Sequence, residues 1–229
     1  YGTKDTGAKI EIFLLKQKEN KNWEVLIRPS KRVKIGTIIT ISKDLQVQVL
    51  QELEDAGKWL VNLKYEGDLY HILDKVGNVP LPPYIERKMT SDELKALDYD
   101  RYQTVYAKKE GSVAAPTAGL HFTTDILEKL NAKGVEIGYV TLNVGLGTFR
   151  PVKCDNVIDH KMDSESYEIS KETAELINRA KQEGKKVVAV GTTTVRTLES
   201  AYKEFGCIKE CKSASTLFIY PPYEFKVID

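Results

Sequence analysis

The stretch K-E-T-A-E-L-I-N-R-A-K-Q-E-G-K-K-V-V-A-V-G-T-T-T-V-R-T-L-E-S-A-Y-K-E-F, residues 171–205, decides the fold class. Its first part, 171–184, sets Ala174, Ile177 and Ala180 in one row at helical spacing and ends on Gly184. K-V-V-A-V at 186–190 then reads as a buried strand of the kind found in parallel sheets. T-V-R-T-L-E-S-A-Y-K-E-F at 194–205 is a second helix. Helix, strand and helix in succession mean α/β. Outward from this core, the pattern predicts strands at 135–144 and at 216–220 (T-L-F-I-Y). It also predicts a helix at 91–97 capped by Ser91, and another at 124–133 ending at Gly134.

The first third of the chain has a different period. Five segments between 8 and 66 are rich in Val, Ile, Leu and Trp, with charges alternating across them. Tight turns such as E-N-K-N and D-A-G join them, which implies an antiparallel sheet or small barrel. A short helix follows at 68–77, with Leu69, Ile72, Leu73 and Val76 on one stripe and Gly77 as terminator. Three prolines within N-V-P-L-P-P-Y-I at 78–85 make a rigid connector. The expected organisation is α/β plus all-β: a small antiparallel β-barrel-like domain at 1–80 and an α/β catalytic domain at 81–229.

A composition 41% hydrophobic and 29% charged is that of an ordinary soluble protein. No run approaches the roughly 18 apolar residues of a membrane helix, and no signal peptide is present, so the cytoplasm is the expected compartment. The chain starts at Tyr1 and ends at Asp229 without a stop signal, which reads as truncation at both ends. Cys154, Cys207 and Cys211 form no disulfide framework. The C-x3-C spacing of the last two would put both thiols on one helix face, but the ligand set is too small for a metal, and none is expected. Lys and Arg number 34 against 33 Asp and Glu, a net charge of +1. A nucleic-acid partner would therefore be met by a local basic patch. Arg28, Lys31, Arg32 and Lys34 form one such cluster, and Lys108 and Lys109 another.

Four stretches carry residues suited to chemistry. Y-A-K-K-E-G-S-V-A-A-P-T-A-G-L-H-F at 106–122 is dominated by small residues that permit close backbone approach. It holds Glu110, Thr117, Gly119 and His121, and it feeds the helix at 124. G-L-G-T-F-R-P at 145–151 has Gly145 and Gly147 for a tight turn, with Thr148 and Arg150 as donors. G-T-T-T-V-R-T-L-E-S at 191–200 sets Thr192, Thr193 and Thr194 where a helix starts, one to cap it and the others free for a ligand. Arg196 and Glu199 follow at a spacing that would let them pair. I-D-H-K-M-D-S-E-S-Y at 158–167 gathers Asp159, His160, Asp163 and Glu165.

Together, R-Y-Q-T-V-Y-A-K-K-E-G-S-V-A-A-P-T-A-G-L-H-F at 101–122, V-T-L-N-V-G-L-G-T-F-R-P-V at 140–152 and V-G-T-T-T-V-R-T-L-E-S at 190–200 resemble the S-adenosylmethionine:tRNA ribosyltransferase-isomerase family of queuosine biosynthesis. P-L-P-P-Y-I at 80–85 and F-I-Y-P-P-Y-E-F-K-V-I-D at 218–229 are shorter echoes, in the family's order. The resemblance implies an α/β catalytic part interrupted by a β-barrel, in a longer chain on both sides. It implies transfer of the ribosyl part of S-adenosylmethionine to 7-aminomethyl-7-deazaguanine at the wobble position of tRNA with a GUN anticodon. Epoxyqueuosine is then the product, with adenine and methionine released. S-adenosylmethionine enters as a substrate, no cofactor is needed, and a monomer is expected.

That chemistry needs a base at the carbon beside the sulfonium, an acid for adenine and a base for the aminomethyl group. His121, Glu110, His160, Asp163 and Glu165 are the candidates. Thr117, Gly119, Gly145, Gly147, Thr148, Arg150, Thr192, Thr193, Thr194, Arg196 and Glu199 are candidates for holding substrate, and Arg28, Arg32, Arg101, Lys108 and Lys109 for RNA. Asn143 and Asp163 stand where the family commonly has histidine, and Pro222 where it has glycine. Two other classes stay open: an S-adenosylmethionine-dependent transferase with another acceptor, and a catalytically impaired tRNA-binding homologue. Turnover with a free nucleobase would mark the first, and tRNA binding without turnover the second.

Overall fold

Alternation of apolar and charged residues closes the first 65 positions into a barrel in the computed structural model, which describes residues 1–54, 57–82, 84–87, 91–145, 147 and 154–229. Its strands are β1 (Gly2–Lys4), β2 (Lys9–Gln17), β3 (Asn22–Arg28), β4 (Ile38–Ser42), β5 (Leu45–Glu52) and β6 (Lys58–Tyr65). They run β1-β2-β3-β6-β5-β4, with β4 returning to β1, and every pairing is antiparallel. Trp23, Val25 and Ile27 on β3 and Trp59, Val61 and Leu63 on β6 point inward at every second residue. Register shifts at Leu14/Lys16, Thr40/Ser42 and Val49/Gln51 supply the bends that closure requires. β1 was absent from the sequence expectation. Three residues are too few to show a period, and β1 exists because Thr3 pairs with Lys9 on one side and Thr40 on the other. Helix α1 (Leu69–Val76) is capped by the Asp68 carboxylate, ends at Gly77 and packs Leu69 and Ile72 into the barrel core.

The chain divides into two compact units, Tyr1–Pro80 and Leu81–Asp229. The second holds helices α2 (Asp92–Arg101), α3 (Thr124–Ala132), α4 (Lys171–Gln182) and α5 (Gly191–Phe205). Ser91, Thr123 and Ser170 cap the first three through their hydroxyls. A three-stranded sheet, in the order β7-β8-β9, joins β7 (Val140–Leu142), β8 (Glu165–Ile169) and β9 (Cys211–Ser215). Leu142, Tyr167 and Ile169 of the sheet, Ala174 and Ile177 of α4, and Leu198 and Ala201 of α5 form its core. The architecture is thus α/β plus all-β. Among the described residues no helix is long and apolar enough to cross a membrane.

Four expectations about this unit are corrected. The sheet is antiparallel, not parallel. K-V-V-A-V forms no strand: Val188 is 79% exposed, and Val187 makes a reciprocal pair with Asp229 in place of a ladder. A ladder needs successive partners, and apolar composition does not supply them. Strand β7 covers only Val140–Leu142 of the expected 135–144: its paired register with β8 runs from Val140↔Ile169 to Leu142↔Tyr167, and one further bond follows, from the Asn143 N–H to the Ser166 carbonyl. The last strand is C-K-S-A-S at Cys211–Ser215 and not the apolar 216–220. It pairs with β8 from Ile169↔Cys211 to Glu165↔Ser215. That strand also separates the cysteine pair. Cys211 opens β9 and Cys207 lies in the turn after α5, so the two share no helix face.

Candidate functional site

Strand β8 and helix α5 organise the site. Period-two alternation turns Glu165, Tyr167 and Ile169 inward from β8, leaving Ser166 exposed. The inward Glu165 is only 2% exposed. Its Oε1 accepts the Gly145 N–H at 2.8 Å, and its Oε2 pairs with Nη1 of Arg196. The Arg196 Nε–H donates to the Leu217 carbonyl at 3.0 Å. Nη2 of Arg196 is buried with no hydrogen-bond partner among the described residues.

One turn further along α5, Glu199 is 1% exposed. Its carboxylate accepts the N–H groups of Lys226, Val227 and Ile228, at 3.0, 2.9 and 3.4 Å, and the Tyr223 hydroxyl at 3.5 Å. Arg196 and Glu199 therefore do not pair with each other. Tertiary partners in a desolvated interior take precedence over the local i, i+3 contact. Burial is the main cause that pushes the Tyr223 phenol above its ordinary pKa, with the Glu199 charge adding to it.

The threonines behave differently from expectation. Helix α5 begins at Gly191 with no side-chain cap, so Thr192, Thr193 and Thr194 lie within its first turn. The Thr194 hydroxyl donates back to the Val190 carbonyl at 2.9 Å, as helical threonines do. Thr193 is half-buried, its carbonyl accepting from the Thr197 hydroxyl at 2.9 Å, while Thr192 is exposed.

The small-residue stretch ties into both elements. The Ser112 hydroxyl donates to the Ala114 carbonyl at 2.9 Å and accepts the Val144 N–H at 3.0 Å, while the Val113 N–H reaches the Val144 carbonyl at 2.9 Å. Thr117 through His121 form a 3-10 turn, with Thr117 and His121 exposed. Gly119 is buried, and a Cβ there would collide with the Tyr106 hydroxyl and the Thr104 methyl, so glycine is what lets Tyr106 keep its place. Tyr106 packs its ring on Tyr139 at 5.5 Å. Burial raises its phenol's pKa, and Tyr139 adds to the shift. Nothing in the sequence pattern had singled Tyr106 out; its signal is the glycine it forces. The same turn reaches α5, since a Cβ on Gly191 would sit 3.2 Å from the Ala118 Cβ.

The remaining candidates scatter. Asp163 is half-buried, its Oδ2 3.1 Å from where a Gly147 Cβ would stand. His160 is half-buried with its ring 4.6 Å from that of Phe218, and Asp159 ends an exposed 3-10 turn. The 158–167 cluster is thus spread over separate environments. Glu110 is exposed. Lys109 pairs with Glu168 at 2.7 Å, which lowers that carboxyl's pKa, while Lys108 is exposed. Arg101 ends α2 and is exposed, and Arg28 and Arg32 are exposed in the barrel unit. Thr148 and Arg150 lie outside the described residues. Asn143 donates from its side chain to the Ser166 hydroxyl at 3.0 Å.

The profile of the family described as "Queuosine biosynthesis protein" matches residues 1–229. A Clostridioides difficile protein named S-adenosylmethionine:tRNA ribosyltransferase-isomerase is 50% identical over 225 residues, covering 98% of this chain and 64% of that protein. A Staphylococcus epidermidis protein of the same name is 48% identical over 231 residues, covering 100% of this chain and 65% of that protein. The chain thus spans just under two thirds of these relatives' length. A solved structure of S-adenosylmethionine tRNA ribosyltransferase from Thermotoga maritima is 30% identical, with a TM-score of 0.37 over 100% of this chain and 60% of that one.

Proposed function

The chain belongs to the queuosine biosynthesis protein family, and we propose on that premise that it acts as an S-adenosylmethionine:tRNA ribosyltransferase-isomerase. It would move the ribosyl group of S-adenosylmethionine onto 7-aminomethyl-7-deazaguanine in tRNA, giving epoxyqueuosine with loss of adenine and methionine. The observation that carries the reading is how three distant segments interlock. The Ser112–Ala114 stretch bonds to Val144, Ala118 meets Gly191, and Arg196 reaches Gly145 through Glu165. These contacts join the small-residue turn, the glycine turn and the threonine helix start around one place. Each piece is poor in bulk and rich in donors, as a polar ligand requires.

Within this site, His121 and Asp163 are the proton-handling groups best placed to act, because each keeps access to solvent and adjoins a glycine-lined turn. One takes the proton beside the sulfonium and the other serves adenine departure or the aminomethyl group. His160 and Glu110 are reserve candidates at the margins. Thr117, Thr192 and Thr193 offer hydroxyls to the ribose. Arg28, Arg32, Arg101 and Lys108 are solvent-facing cations available to the phosphates of a tRNA with a GUN anticodon, and Lys109 joins them by exchanging Glu168 for a phosphate. S-adenosylmethionine is the substrate and no separate cofactor takes part; the enzyme works as a cytoplasmic monomer.

The test is to incubate the protein with S-adenosylmethionine and tRNA carrying the deazaguanine precursor, then digest the tRNA and weigh the wobble nucleoside. Epoxyqueuosine in the digest upholds the reading. A bound tRNA left unmodified points instead to an impaired homologue, and modification of the free base to a small-molecule acceptor.

A further inference from the structure

We propose that Glu165 and Arg196 form a positioning device for the glycine turn, and through it for Asp163, and that Glu165 exchanges no proton in the reaction. This rests on the transferase reading of the site. Each oxygen of the Glu165 carboxylate accepts from a protein donor, the Gly145 N–H at 2.8 Å and the Arg196 guanidinium, and both donors hold it turned into the interior. At 2% exposure the residue has no face for a substrate. A general base needs a lone pair within reach of the proton it abstracts.

What the pair does instead follows from what it joins. Gly145 lies just beyond β7, Glu165 opens β8, Arg196 lies in the second turn of α5, and Leu217 follows β9. One carboxylate and one guanidinium fix these four segments to each other. Gly147, two residues along the turn, lies so close to Asp163 that a Cβ would come within 3.1 Å of its Oδ2. Asp163 and Glu165 are themselves two residues apart. Where Glu165 holds Gly145, Gly147 stands against the more accessible carboxylate. A buried, hydrogen-bonded charge pair sets geometry more than it adds stability, and a displacement of about 1 Å at a reacting group costs on the order of 100-fold in rate.

The experiment compares Glu165→Gln with the double variant Glu165→Gln/Arg196→Gln. The single change keeps an oxygen for Gly145 but turns an amide NH2 towards Arg196. The double change restores a neutral acceptor–donor pair without restoring any proton acceptor. Three quantities are read: kcat and KM for S-adenosylmethionine, the pH dependence of kcat, and hydrogen exchange of the Gly145 amide. The device predicts a loss of about 100-fold in kcat/KM for the single variant, with the limbs of the kcat profile in place and Gly145 exchange accelerated. It predicts partial recovery in the double variant, which regains the hold on Gly145 but not the Arg196 bond to Leu217. Loss of one limb in both variants, with no recovery, would make Glu165 the base and overturn the proposal. So would normal rates in the single variant. Should the unaltered protein release no adenine from S-adenosylmethionine and precursor tRNA, the transferase reading fails. Gly145 exchange then decides alone: acceleration in Glu165→Gln upholds the clamp, and no change refutes it.

Discussion

The two units bury different things. The barrel's buried side chains are Ile, Val, Leu and Trp, whereas Thr104, Glu165, Thr173, Thr197, Glu199, Ser200 and Ser215, the buried polar and charged residues among those described, all lie in the second unit. An aliphatic barrel interior needs only shape and period. An interior holding two carboxylates needs a donor for each oxygen, and apart from Arg196 on α5 those donors come from loops: Gly145 for Glu165, and Lys226 to Ile228 for Glu199. Buried charge here fixes loops, whereas buried hydrocarbon in the barrel fixes strands. On the proposed reading, the groups that do chemistry are the more exposed ones beside those loops.

The sharpest way to break this contrast is Arg196→Met. It leaves Glu165 buried and unpaired, so the second unit should lose about 3–5 kcal/mol; a denaturation curve followed by far-UV circular dichroism reads it. Glu199→Gln is milder. It replaces a charged acceptor of three backbone N–H groups by a neutral one and should cost about 1.5–3 kcal/mol, with faster amide exchange at 226–228. A shift no larger than that of an exposed substitution would show that the C-terminal segment does not depend on Glu199. In the barrel, Ile39→Val at a fully buried position removes one methyl and should cost about 0.5–1.5 kcal/mol. Trp23 and Trp59 are the chain's two tryptophans and both lie in the barrel core, so tryptophan fluorescence reads that unit alone.

Alkali should sharpen the contrast further. Burial first, and then the hydrogen bond to Glu204, push the Tyr167 phenol above its ordinary value of 10.0. The neutral phenol is favoured in the fold, so its contribution is complete below pH 10 and is lost as pH rises beyond it. Tyr102, Tyr106 and Tyr223 shift the same way, also in the second unit. Melting followed across pH 9 to 11 should therefore fall, and Tyr167→Phe should flatten the decline.

The sequence made the barrel legible because a two-residue period survives any neighbour. Trp23, Val25 and Ile27 alternate regardless of which strand lies beside them. Helix ends were legible for a similar local reason, as Ser91 and Gly77 act within their own turns. What failed was whatever depends on partners. Val187 to Val190 have strand composition but no ladder, while polar C-K-S-A-S has a ladder because β8 supplies one. One pairing within the site failed in the same way. Its residues sat in the quoted stretches, but the spacing of Arg196 and Glu199 suggested mutual pairing when each had a distant partner. Tyr106 was invisible because its mark is an atom standing where Gly119 has no side chain.

On the proposed reading, the buried charges hold the loops and the more accessible groups beside them react. His121→Asn tests it most directly, with melting temperature and adenine release measured on one preparation. His121 is exposed at the end of its turn, so the melting temperature should stay where it is while turnover falls by at least about 100-fold. A lowered melting temperature with a normal rate per folded molecule would contradict the claim and make His121 a structural residue.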